Sequence, residues 1–226
     1  MFSAFEDLGA TKPALIQADV ANKEDTDRLL AAIQKAHGHI DVFVSNVSVA
    51  PVIDSFEDYS LKGLQRTLSY SAWPMVGYTQ RMHKVLGKFP NYIIAISSTG
   101  PDHYSYGYDY VSASKAVIEC MCRYLSYRFR EEAVIINAVR SRAIKTQSLE
   151  TIFGKELAPF VKKFVPDNYC IEAEEVADAI VGLCSGYCDA IRGQTITVDR
   201  GTSFFDNFMD MYTRYRKGHL NIKKLD

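Results

Sequence analysis

The sequence predicts the α/β class: a parallel sheet wound by helices on both faces. Two observations predict it. Short, strongly β-forming apolar runs alternate with longer stretches of helical periodicity along the 226 residues. Those runs are apolar on both faces, whereas a sheet with one wet face would alternate apolar and polar side chains.

The strands are expected at residues 13–20 ("PALIQADV"), 41–46 ("DVFVSN"), 92–97 ("YIIAIS"), 134–139 ("VIINAV") and 195–199 ("TITVD"). Between them, residues 23–36 carry Leu29, Leu30 and Ile33 at helical spacing, with acids at the start and Gly38 just past the end. Residues 59–86 form a long helical pattern containing Pro74, which predicts a kink or a break there. Helices are also expected at 108–130 and at 171–184, closed by Gly186, with a less regular one at 147–165. There is no internal repeat, low-complexity segment or linker. One doubly wound domain over residues 1–203 follows, with an extension at 204–226.

Composition bounds the function. A net charge of -1 argues against a nucleic-acid partner. No run of about twenty apolar residues occurs and no signal-peptide pattern opens the chain, so neither a membrane partner nor secretion is expected, and a cytoplasmic protein is. The five cysteines (Cys120, Cys122, Cys170, Cys184, Cys188) contain no CxxC pair. They read as buried thiols rather than as a metal site or a disulfide framework, and no metal ligand set is expected.

In chain order come "DVFVSN", "YIIAISSTG", "SKAVIE", "VIINAVRSRAIKT" and "IRGQTITVDRG". Together they resemble the short-chain dehydrogenase/reductase family, over residues 8 to 203 or so. The resemblance implies a Rossmann-like sheet and nicotinamide-dependent chemistry. Within the family, "YSYGYDYVSASK" is most similar to the type III enoyl-acyl-carrier-protein reductases, whose tyrosine lies seven residues before the lysine. The matching positions are Tyr108 for the proton donor, Lys115 for the ribose-holding lysine and Ser98 for the serine that steadies a substrate carbonyl. Tyr104 matches an additional tyrosine, and Val111 stands where most members carry the catalytic one.

Helix geometry constrains that set. A residue at i+7 returns to within about 20° of residue i but lies roughly 10 Å further along the axis. Direct contact between Tyr108 and Lys115 is therefore not available on a regular helix. Either a bound ribose links them or Tyr108 sits before the helix begins.

The departures from the family are concentrated on the cofactor side. A dinucleotide diphosphate rests on backbone N–H groups at a helix tip reached through a glycine-rich turn, and no such motif occurs in this sequence. The family places that turn about fifty residues before the strand matching "PALIQADV", and here twelve residues precede Pro13. The expected sheet thus lacks the first βαβ unit. The strands at 13–20 and 41–46 should then pair directly, or a partner chain should cover the open edge. The family's NNAG turn reads "SNVS", its relay asparagine aligns with Ser69, its Pro-Gly turn with Ser141 and Arg142, and its last glycine pair begins at Arg200. Asp19, Asn46 and Thr146 are the cofactor-side matches that remain, and no cofactor binding is expected in this chain.

This pattern implies a non-catalytic subunit assembled, as a heterotetramer, with a longer and complete paralogue. That partner would bind NAD(P) and oxidise or reduce an acyl-CoA. Ser98, Tyr108 and Lys115 would then be vestigial. The inactive subunit of the heteromeric dehydrogenase for 2-[hydroxy(phenyl)methyl]succinyl-CoA is similar in its pattern of loss. The alternative is an active NAD(P)-dependent enoyl or 3-oxoacyl thioester reductase whose cofactor loop precedes the sequence given. A third reading, the cofactor-free halide-handling relatives, needs a tyrosine at Val111. The tail at 204–226, rich in large side chains from Phe204 to Tyr215, is expected to pack across a neighbouring subunit.

Overall fold

In a computed structural model, the described residues are 9, 11–142, 144, 160, 170–204 and 206–220. The helix expected at 147–165 lies, apart from Phe160, outside them, and so does Thr146.

Helix α1 (Lys23–His37) begins where the Asn22 side chain accepts the Glu24 and Asp25 N–H groups, and it ends at Gly38 in the left-handed region, φ 75°. Strand β1 (Val42–Ser45) follows. After a short 3-10 turn at Phe56–Asp58 come α2 (Leu61–Ser71) and α3 (Trp73–Leu86). The break anticipated in this long segment falls at Ala72, because Pro74 takes one of the first positions of α3, where its missing N–H costs nothing. Then come β2 (Tyr92–Ser98), α4 (Asp109–Arg128), β3 (Ile135–Ser141), α5 (Ala173–Leu183), β4 (Thr195–Val198) and α6 (Asn207–Arg216).

The four strands form one parallel sheet in the order β1-β2-β3-β4. Its helices lie on both faces. On one, Ile93, Ala95, Ile136 and Ala138 pack against Met75 and Val76 of α3 and Ile118 and Cys122 of α4. On the other, Ile94 and Val139 meet Val176 and Leu183 of α5. Leu30 anchors α1 against Tyr78 and Met82 of α3. This is the doubly wound α/β architecture the strand composition called for, and side chains buried on both faces explain why the runs read as continuously apolar.

Two expectations fail. Residues 13–20 are not a strand: they run without a ladder partner, with Leu15 69% and Ile16 39% exposed. A strand needs backbone partners as well as β-forming side chains, and here the Gln17 carbonyl is taken by Arg28 while Asp19 is drawn into the turn that caps α1. Direct pairing of this segment with β1, one of the two arrangements expected, is absent, so among the described residues β1 is the sheet edge. The cysteines are also not uniformly buried. Cys122 and Cys170 are, Cys184 and Cys188 are half-buried and Cys120 is exposed.

The C-terminal segment forms α6, capped by Asp206, with Phe208, Met209, Met211 and Tyr212 exposed. Among the described residues, no helix is long and apolar enough to cross a membrane and no group of three or more potential metal ligands gathers.

Candidate active site

The chemistry-bearing residues collect where β2 and β3 end and α4 begins. Ser98 is the last residue of β2, and the chain then turns through residues 99–103, where the Asp102 and His103 N–H groups donate to the Thr99 carbonyl. The Thr99 N–H is held by the carbonyl of Ser141, the last residue of β3. This hydrogen bond ties the loop to the sheet.

Tyr108 is the N-cap residue of α4, with φ -98° and ψ 7°. It therefore stands just off the helix, one of the two solutions that helix geometry left open. Gly107 before it takes φ 69° and its Cβ position lies 2.6 Å from Val52, so only glycine lets the chain reach Tyr108 this way. The ring then lies on Gly100, whose hypothetical Cβ would sit 2.8 Å from it. Ser98 hydrogen-bonds the phenol. Burial holds the Tyr108 pKa above its ordinary value, and the Ser98 hydrogen bond pulls it back down in part. The phenol is a neutral, half-buried acid at ordinary pH.

Lys115 is nearly fully buried, at 4% exposure, and its Nζ donates to the Ile96 carbonyl at 2.8 Å. Desolvation lowers its pKa to about 8. One turn further, Glu119 is also buried and its carboxylate accepts the Ser97 hydroxyl at 2.7 Å. Helix α4 is thus stitched to consecutive residues of β2 by two polar side chains.

The structure brings Ser98 and Tyr108 into contact and places Lys115 beneath the same strand end. It does not bring Asp19 and Asn46 to them: Asn46 is exposed beyond β1, and Asp19 lines a separate cleft of about 610 Å³ with Val47, Val49 and Tyr70. Tyr104 is 86% exposed. Sequence reasoning did not single out Gly100, Gly107, Asp102, Glu119 or Arg140. The only available signal was the glycine two residues past Ser98, which marks a close approach of some side chain to the strand end.

A nicotinamide dinucleotide fits this set poorly. Its diphosphate needs free N–H groups at a helix tip. Among the described residues each of those tips is capped, opened by an acid or buried. Asn22, Ser60 and Asp206 cap α1, α2 and α6, acids open α1, α4 and α5, and α3 begins at the buried Pro74. At the expected adenosine side, Asp19 already accepts the Ala21 N–H at 2.9 Å and the Tyr70 hydroxyl at 3.1 Å. Where a Pro-Gly turn would admit the nicotinamide, Arg142 donates to the Thr202 carbonyl. Burial would raise the nearby Asp199 pKa, but hydrogen bonds from Ser203 and Gly201 and the Arg142 charge outweigh it, so the carboxyl lies below its usual range. Arg200, at the family's glycine position, takes φ 53° and is held there by two hydrogen bonds to Glu175. Lys115, the ribose-side match, is buried with its Nζ on the Ile96 carbonyl, so the described residues do not accommodate the whole group.

The family model described as "Enoyl-(Acyl carrier protein) reductase" matches residues 3–203. The enoyl-[acyl-carrier-protein] reductase (NADH) FabI of Aquifex aeolicus (strain VF5) is 27% identical over 192 residues, covering 83% of this chain and 71% of that protein. The 1-cyclohexenylcarbonyl-CoA reductase of Streptomyces collinus is 29% identical over 191 residues, covering 83% of this chain and 68% of that one. Among solved structures, a 3-oxoacyl-[acyl-carrier protein] reductase from Brucella melitensis in complex with NAD superposes with a TM-score of 0.77 at 24% identity, covering 91% of this chain and 83% of that one. At that identity the likeness speaks for the fold.

Proposed function

From a chain that belongs to the enoyl-(acyl carrier protein) reductase family of short-chain dehydrogenases/reductases, we propose that it supplies the proton-donating part of the nicotinamide-dependent reduction of an acyl thioester, a 2-enoyl thioester first of all. The observation that carries this reading is the Tyr108 phenol, kept protonated by burial and held by Ser98 at the end of β2. Tyr108 gives its proton to the substrate, and Ser98 fixes the phenol and the thioester oxygen. Lys115 keeps a titratable ammonium on the Ile96 carbonyl, two residues before Ser98 on the same strand. The similarity to a FabI and to a CoA-thioester reductase supports the substrate class.

A second reading is favoured by the capped or acid-opened helix tips and by Arg142. In it the chain is a supporting subunit, and a longer paralogue of the same family carries the NAD(P) and the turnover. The two readings separate on one substitution. In the protein together with any co-purifying partner, Tyr108→Phe should lower NAD(P)H-dependent reduction of a short 2-enoyl-CoA by about a hundredfold to ten-thousandfold if Tyr108 is the acid. Unchanged turnover would overturn the first reading in favour of the second. Saturable NADH quenching of the isolated chain at micromolar concentration would count against the second.

A further inference from the structure

Outside the Ser98, Tyr108 and Lys115 set lies a polar cluster, running from the buried Glu119 out to the exposed Asp102 and Thr197, that the proposed chemistry does not use. Its centre is Arg140 of β3. The guanidinium pairs with Asp102 at 2.5 Å through Nη1, lies 3.7 Å from the Glu119 carboxylate, and donates through Nε to the Thr197 hydroxyl at 2.9 Å. Glu119 in turn holds Ser97. One planar cation thus joins β3, β4, α4 and the loop after β2. A guanidinium suits this because its donors point in fixed, divergent directions, which a lysine ammonium does not reproduce.

The position of Asp102 gives the cluster its meaning. It lies in the tight turn whose Gly100 is the seat of the Tyr108 ring. Two hydrogen bonds, Thr99 N–H to Ser141 and the Arg140 pair with Asp102, hold that turn to β3. On the other flank, Lys115 and Glu119 hold α4, and hence its N-cap Tyr108, to β2. Glu119 belongs to both arrangements.

We infer that Arg140 is a positioning residue for Tyr108, acting through Asp102 on the seat of the ring and through Glu119 on the helix that carries it. The inference rests on the reading of Tyr108 as the proton donor, and it deepens that reading. Arg140 touches no reacting atom. Its loss would let the seat drift, so that substrate still binds but the proton is poorly aimed. A misplacement of about 1 Å is enough to cost up to about a hundredfold in rate.

The test uses Arg140→Gln, Arg140→Lys and Asp102→Asn in the full chain with any co-purifying partner. The first measurement is amide hydrogen exchange, which does not depend on activity. Both Arg140→Gln and Asp102→Asn should speed exchange across residues 99–107 by about tenfold or more, with 92–96 unchanged. The second measurement is kinetic: both should lower kcat by about ten- to a hundredfold with KM within about twofold, and Arg140→Lys should restore part of the loss. Asp102 is half exposed on the loop, so Asp102→Asn reports even if removing Arg140 unfolds the sheet end. Unaltered exchange at 99–107 in Asp102→Asn, or a change confined to KM, would overturn the inference. Altered exchange with no effect of Tyr108→Phe on turnover would uphold the clamp while removing the acid role of Tyr108.

Discussion

Val44 and Ile94 are register partners on neighbouring parallel strands, yet Val44 is 39% exposed and Ile94 is fully buried. The contrast extends to whole regions. At the C-terminal ends of β2 and β3, each backbone and side-chain polar group named above has a partner. Among the described residues, the outer backbone of β1 faces no strand, and Val42 and Val44 have no helix over them on the face where α5 covers Ile94. Among the described residues, the polar network thus gathers at the C-terminal ends of β2 and β3, and the open side of the sheet is the β1 side. A parallel strand with an open edge is ordinarily covered, so the second functional reading and this geometry point to the same place.

The comparison breaks most directly at Ile94. Ile94→Ala should cost about 2–5 kcal/mol, read from the urea midpoint at constant slope. A loss below about 1 kcal/mol would mean that β2 is not the core strand described here.

Lys115 should give the next largest signal, through pH. Its folded pKa of about 8 lies below the ordinary 10.5, because burial penalises the ammonium. The penalty is fully present below pH 8 and is lifted as pH rises to 10.5, where the unfolded chain still holds the proton and the folded one does not. At about 1.4 kcal/mol per pH unit, the wild type should gain up to roughly 3 kcal/mol relative to Lys115→Met across that window. A constant difference between the two proteins would show that the lysine is hydrated.

Gly100→Ala comes third. Its Cβ would press on the Tyr108 ring, a rigid neighbour, so a loss of about 1–3 kcal/mol is expected. If Tyr108 is the acid, turnover should fall as well. Smallest is Val44→Thr, expected within about 0.5 kcal/mol because the side chain is already in water. A larger loss in the presence of a co-purifying chain, but not without it, would identify what covers β1.

Much of this fold was legible in the sequence. Strands β1 to β4 and the helices expected at 23–36, 59–86, 108–130 and 171–184 lie within a few positions of where the apolar periodicity placed them, because burial on one or both faces leaves a repeat; the helix expected at 147–165 falls outside the described residues. The exception among strands is instructive. "PALIQADV" has the composition of a strand, and composition cannot tell whether a neighbour is there to complete the ladder. Of the site, residue type and order marked Ser98, Tyr108 and Lys115. The Arg140 cluster was invisible because its members, Ser97, Asp102, Glu119, Arg140 and Thr197, are scattered over one hundred residues of chain and meet only when parallel strands align their ends.

Tyr108 at the cap of α4 has a wider consequence. A side chain outside the regular spiral is not bound to that spiral's pitch, so its interval to the lysine is set by the loop that delivers it and can lengthen by nearly a turn while the hydroxyl still reaches the strand end. A search keyed to one rigid tyrosine-to-lysine interval would pass over such chains, whereas one keyed to a serine, a glycine two places on and a buried lysine under the same strand would find them.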